Sequence, residues 1–126
     1  MSNYPGTYLI VNACNNAVTN LNVVHLCGGT YDGNLIIPDL AVGEVSQIVS
    51  FNSQTSEIDY WNIHFDCNGI FYDLVNYQCN YETSDSGHLC VISLNESYVN
   101  VITPISSTCR VAYTNTSVSD AVELKK

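Results

Sequence analysis

The chain's acid–base candidates are three histidines, His25, His64 and His88. His64 lies in Asp59 to Asp66 (DYWNIHFD), where Trp61, Ile63 and Phe65 alternate with Tyr60, Asn62, His64 and Asp66. An apolar set at period two is the mark of a half-buried strand. Asn68-Gly69 follows, the dipeptide favoured in a two-residue hairpin turn. That turn places Cys67 opposite Ile70, Phe65 opposite Tyr72, His64 opposite Asp73 and Ile63 opposite Leu74. A His facing an Asp could act as an oriented general base. No Gly-x-Ser-x-Gly elbow or third triad partner accompanies the pair, so a surface His–Asp contact is the simpler reading and no catalytic residue is assigned. The same outer face gathers Tyr60, Asn62, His64, Asp66, Asp73 and, by alternation, Tyr77. Amides, carboxylates and aromatic faces together suit a neutral, hydroxyl-rich ligand such as a glycan, or a protein surface. A solvated face of β-forming tyrosines is the competing interpretation.

Metal chemistry has less to stand on. Asp32-Gly33-Asn34 and Asp85-Ser86-Gly87 are lone turns rather than a spaced calcium loop, and turn chemistry accounts for both. No metal ligand and no cofactor is expected. The six cysteines, Cys14, Cys27, Cys67, Cys79, Cys90 and Cys109, include no Cys-x-x-Cys pair, which sets aside zinc-ribbon and thioredoxin chemistry. Their even number favours disulfides over buried thiols. Cys79 with Cys90, across a polar loop, is the best single bridge; Cys14 with Cys27 is disfavoured, and the other four admit no assigned pairing. Asn95-Glu96-Ser97 and Asn115-Thr116-Ser117 are sequons that an Asn-rich chain produces by chance.

The elements that must hold these groups are all strands. Val, Ile, Thr and Tyr are abundant, and turn residues recur every eight to twelve positions. Strands are expected at Thr7 to Ala13, Leu21 to Leu26, Leu35 to Ile37, Glu44 to Phe51, Asp59 to Asp66 and the segment after Gly69. Pro38 marks the third as an edge. Gly28 to Asn34, Asn52 to Glu57 and Glu82 to Gly87 read as loops. His88 to Leu94 and Ser97 to Ile102 form a second hairpin, with Ile92 opposite Val99 and Cys90 opposite Val101. Thr108 to Tyr113 is the last strand. The expectation is one antiparallel β-sandwich of about eight or nine strands over residues 1–113, with a small β-barrel as the alternative. Residues 114–126 are expected to form a tail.

Leu9-Ile10-Val11-Asn12, Leu21-Asn22-Val23-Val24-His25, Leu40 to Ser46 and Asp59 to Phe65 occur in an order that resembles the small, largely fungal "up-regulated in Daf-two" domains. The resemblance covers about the first 75 residues. It implies a β-sandwich and carries no defined activity. This chain departs from the pattern in its few basic residues and its six cysteines. Acidic aegerolysins, small fungal β-sandwich lipid binders, are similar in size, pI and strand order, and none of their motifs maps here residue by residue.

At 126 residues the chain is one domain. Three Lys and Arg stand against twelve Asp and Glu, a net charge of -9, and the first basic side chain apart from histidine is Arg110. Nucleic acids, anionic membranes and phosphorylated substrates all require cations that the first 109 residues lack. No apolar run is long enough for a membrane-spanning helix. The opening MSNYPG lacks a signal-peptide pattern, so the chain is either made in the cytosol or follows a removed leader. Cysteine usage points outside the cell, the family resemblance inside it. The functional expectation is a non-enzymatic acidic binding protein, lectin-like towards a neutral glycan. Alternatives are a protein-directed ligand (a defence toxin, an immune modulator or a sweet-tasting protein acting on a receptor) and a storage or structural protein. The oligomeric state is open, a homodimer included.

Overall fold

Asp59–Cys67 is buried at each odd position and half-buried at each even one, as its alternation requires. The same rhythm builds the whole molecule. The structure, a computed structural model, describes residues 3–105 and 108–118. Its strands are β1 (Asn3–Asn12), β2 (Val18–Cys27), β3 (Thr30–Leu40), β4 (Val49–Gln54), β5 (Asp59–Cys67), β6 (Ile70–Gln78), β7 (Leu89–Leu94), β8 (Val99–Ile102), β9 (Thr108–Val111) and β10 (Asn115–Val118). A single 3-10 turn covers Thr83–Asp85. The strands form two five-stranded sheets, β4-β1-β7-β8-β9 and β10-β6-β5-β2-β3. Every pairing is antiparallel except β1 with β7. The architecture is a β-sandwich, and the sheets do not close into a barrel.

The core lies between the sheets and is rich in rings. Trp61 packs edge-on against Tyr8 and Phe51, at 5.5 and 5.3 Å between centroids, and its indole N–H donates to the Cys79 carbonyl. Phe51 continues to Tyr81 at 4.9 Å. Gly6 must be glycine for this cluster to form, because a Cβ there would lie 2.5 Å from the Phe51 ring and 2.8 Å from Tyr81. Phe65, Tyr72 and Tyr113 make a second cluster with centroids 4.8 to 5.6 Å apart.

The β5–β6 hairpin has the expected register at Cys67–Ile70, Phe65–Tyr72, His64–Asp73 and Ile63–Leu74, and Pro38 lies on an edge strand. Several other expectations are corrected. β3 begins at Thr30, so the segment expected as a loop to Asn34 is a two-residue turn, Gly28-Gly29, with both φ positive. β4 starts at Val49 rather than at the expected Glu44, with an isolated bridge of Val45 to Val11 before it, and runs through Asn52 to Gln54, a stretch expected as loop. In the second hairpin Leu94 faces Val99 and Ile92 faces Val101, two residues from the expected register. Asn95 to Tyr98 form a longer turn closed by the Asn95 N–H on the Tyr98 carbonyl. A slip of two preserves the inward face, so Cys90, Ile92, Val99 and Val101 are all buried as expected. Asn115–Val118 pair with β6, so the sheet continues past residue 113. The remainder of the expected tail, 119–126, lies outside the described residues.

Cys79 is disulfide-bonded to Cys109, not to Cys90. The bond joins the residue after β6 to β9, and so ties one sheet to the other. Cys14, Cys27, Cys67 and Cys90 are buried free thiols.

Candidate functional site

Tyr60, Asn62, His64 and Asp66 are half-buried on the outer face of β5, and Asp73 stands opposite His64 on β6. Tyr77 is not with them. Asn76 has φ 48° and the β5–β6 register shifts between Trp61 and Ile63, a bulge that turns Tyr77 inward, opposite Trp61 and against the core. Period-two counting from Asp73 misses it because the bulge adds one residue.

Two of the outer polar groups work within the fold. The Asn62 side-chain oxygen accepts the Asn76 N–H at 2.8 Å and so caps that bulge. The Asn20 amide donates to Asp66 at 3.0 Å. His64 lies 5.7 Å from the Phe71 ring, and both ion pairs among the described residues belong to His25 instead. Tyr60, His64 and Asp73 complete the face. Around them the sheet exposes apolar groups: Tyr31 at 66% and Ile36 at 71%, register partners of Leu26 and Asn22.

The strongest polar cluster is buried, and it centres on His25. Leu21, Val23, His25 and Cys27 share the inner face of β2, so the strand's own alternation carries the imidazole into the core. There it is fully buried between Phe51 and Trp61, at 4.5 and 4.8 Å. Nδ1 lies 2.8 Å from an Asp32 oxygen and Nε2 lies 2.6 Å from Asp59 Oδ1. Both nitrogens can donate only from a doubly protonated ring. Asp59 also accepts the Ser53 hydroxyl at 2.7 Å and the Tyr81 N–H at 2.7 Å, while Asp32 accepts the Asn52 N–H at 2.7 Å. The cluster therefore joins β2, β3, β4 and β5 and the segment after β6. Each of its polar atoms is used within the fold, and Ser53 bonds Asp59 rather than the histidine, which is not a nucleophile–base arrangement. Sequence reasoning missed this group; a histidine at an inward position of an otherwise apolar face was the available signal.

A cleft of about 420 Å³ opens beside the cluster, lined by Tyr4, Thr55 to Ile58 and Asn80 to Thr83. Asn80, one of its lining residues, is held by its side-chain oxygen, which accepts the Asp59 N–H at 3.1 Å. The Glu82 backbone carbonyl accepts the Asp85 N–H at 2.9 Å and the Asp85 carboxylate accepts the Glu82 N–H at 2.8 Å, which holds the 3-10 turn. The Tyr4 hydroxyl donates to the Tyr81 carbonyl. Burial pushes the Tyr4 phenol up, a hydrogen bond with Ser53 lowers it in part, and the carboxylates of Asp59 and Glu82 raise it further. The cleft thus combines an aromatic side chain with Glu57 and Glu82, the Asn80 amide, and the hydroxyl-bearing Thr55, Ser56 and Thr83.

Among the described residues no group of three or more His, Cys, Asp or Glu side chains is placed to hold a metal ion. No described helix is long and apolar enough to cross a membrane. Comparison with protein-family models and with curated proteins finds no match.

Proposed function

We propose that the chain is a non-enzymatic binding protein for a neutral, hydroxyl-rich ligand, a glycan, held in the cleft between Tyr4, Thr55 to Ile58 and Asn80 to Thr83. The observation that carries this reading is the concavity itself. A volume of about 420 Å³ with convergent carboxylate, amide and hydroxyl groups beside an aromatic ring falls in the range of small-ligand sites. Carboxylates accept the hydroxyl hydrogens of a sugar, amides both donate and accept, and a ring face covers its apolar side. The buried His25 cluster behind the cleft supports it by fixing Asp59, and through Asp59 the backbone of Tyr81. A site held this way loses little freedom when it binds.

A glycan array tests the reading, run with the wild type and with Asn80→Ala and Glu57→Ala. Sugar-inhibitable binding that both substitutions weaken about tenfold is the expected result. Cleavage of a bound glycan would overturn the non-enzymatic reading. Contact with a partner protein through the outer face of β5 and its neighbours is the second reading, favoured by the exposed Tyr31 and Ile36 beside Tyr60, His64 and Asp73. It predicts binding lost in Tyr60→Ala and retained in Asn80→Ala.

A further inference from the structure

The outer face of the other sheet differs in composition. Leu9 stands beside Val91, and Val91 beside Ile102, so three aliphatic side chains form a band across β1, β7 and β8. Leu89, next along β7, is 36% exposed, Ile102 is 37%, and Val45, bridged to Val11, is 50%. The neighbouring outward positions are Thr7, Ser93 and Asn100. None of the five strands of this sheet contains a carboxylate. All twelve acidic residues of the chain lie elsewhere, and the one charge within the sheet is Arg110, which bonds Asn100 and covers the Tyr98 ring at 4.4 Å.

We infer that this face docks a second copy of the same chain, the Leu9–Val91–Ile102 band of one protomer packing on that of the other. The charge distribution selects the occupant. Two chains of net charge -9 repel wherever their acidic surfaces meet. The sheet free of carboxylates lets them approach with apolar surface and without acid facing acid. A cationic partner, by contrast, would find no anion on these strands. The size is also sufficient. Five strands about 4.8 Å apart, ten residues long in β1 and four to six in the others, at about 3.3 Å per residue present a face of roughly 24 by 20 Å. That is about 500 Å² per copy and about 1,000 Å² in the pair, the lower end of specific interfaces. Such a dimer is weak, with a Kd of roughly tens of micromolar. It does not depend on the glycan reading.

Sedimentation velocity between 2 and 200 µM protein (~150 mM NaCl, near one Debye length of 8 Å) tests the inference. The wild type is expected to pass from monomer to dimer across that range, and added salt is expected to tighten the dimer by screening the repulsion. Val91→Lys and, as a milder change at a more exposed position, Ile102→Lys should each weaken the dimer at least tenfold while retaining native Trp61 fluorescence. Thr116→Ala, at an exposed position of β10 in the opposite sheet, should leave it unchanged. A wild type that is monomeric at 200 µM overturns the inference, as does a dimer that survives both lysine substitutions. Flotation of a monomeric wild type with phosphatidylcholine vesicles, lost in the lysine variants, would assign the face to a lipid surface and would equally overturn it.

Discussion

Asp59→Ala is the sharpest probe of the buried cluster. The substitution removes the acceptor for His25 Nε2, the Ser53 hydroxyl and the Tyr81 N–H, all within 2.7 Å of the carboxylate oxygens. Each donor left without an acceptor in the core costs about 1–3 kcal/mol, and breaking one side of a buried ion pair costs about 3–5 kcal/mol. These overlap, because one lost carboxylate produces both, so the expected destabilisation is about 4 kcal/mol. An entropy of unfolding of about 2.1 cal/mol/K per residue, taken over the chain, gives roughly 0.26 kcal/mol/K and a fall in Tm of about 15 °C. Asp32→Ala should cost about 1–2 kcal/mol. Its carboxylate side chain is 25% exposed, and its second donor, the Asn52 N–H, is on an exposed residue that water can reach. Trp61 reports on this spot directly, being the chain's one tryptophan and 4.8 Å from the His25 ring. Melts followed by its fluorescence and by far-UV circular dichroism should coincide and rank wild type, Asp32→Ala, Asp59→Ala in falling Tm. An Asp59→Ala protein melting within about 3 °C of wild type, or a larger loss in Asp32→Ala, would refute the placement of the cluster in the core.

Trp61→Ala should destabilise by about 3–5 kcal/mol, since the indole is fully buried among Tyr8, Phe51 and His25; a urea midpoint near that of wild type would contradict the packing. Alkylation in denaturant without reductant should label four thiols and leave Cys79 and Cys109 linked in the peptide map; a Cys79–Cys90 peptide would contradict the sheet-to-sheet tie. Opening that bond by Cys79→Ser should cost about 3.6 kcal/mol in the chain-entropy account for a separation of 30 residues, read as a lower urea midpoint. Burial pushes the Cys14 and Cys90 thiols up to about 12 from an ordinary value of 9.0. The folded thiols hold their protons more tightly than the unfolded ones, so this stabilisation is complete below about pH 9 and is lost as pH rises towards 12. Burial raises the Tyr8 and Tyr113 phenols as well and acts in the same direction. The urea midpoint should therefore fall between pH 8 and pH 10.5, and a flat profile would contradict the burial.

How much of the fold the sequence reveals depends on how local its cause is. The β5–β6 hairpin is legible because Asn68 and Gly69 accept the positive φ of its turn, at 51° and 78°, and the alternation before it has one consistent reading. Gly28-Gly29 has the same property, but Tyr31-Asp32-Gly33-Asn34 after it resembles loop composition and hides the start of β3. The parallel pairing of β1 with β7 joins residues about eighty positions apart, as in Thr7 with Leu89, and no local signal specifies it. The disulfide follows that same distant arrangement. Cys90 sits on β7 with its thiol facing the core, while the loop closure that brings Cys79 near β9 depends on how the two sheets stack.

The functional surfaces divide along the same line. Alternation places Tyr60, Asn62, His64 and Asp66 on one outward face, and they stand there. Which of them remain available is decided by a bulge and by neighbours on other strands, through Asn76 on Asn62 and Asn20 on Asp66. The cleft is assembled from the N-terminal strand, the β4–β5 connection and the segment after β6, so no contiguous motif announces it. The distribution of charge, in contrast, is written in the chain once its strands are assigned to sheets. The carboxylates of the core cluster, the cleft and the β5–β6 face all lie off the strands β4-β1-β7-β8-β9. A chain with so few cations cannot neutralise its acids by pairing, and it segregates them instead. That segregation leaves the strands of one sheet free of carboxylates, while the other carries Asp66 and Asp73 on its outer face beside the exposed Tyr31 and Ile36.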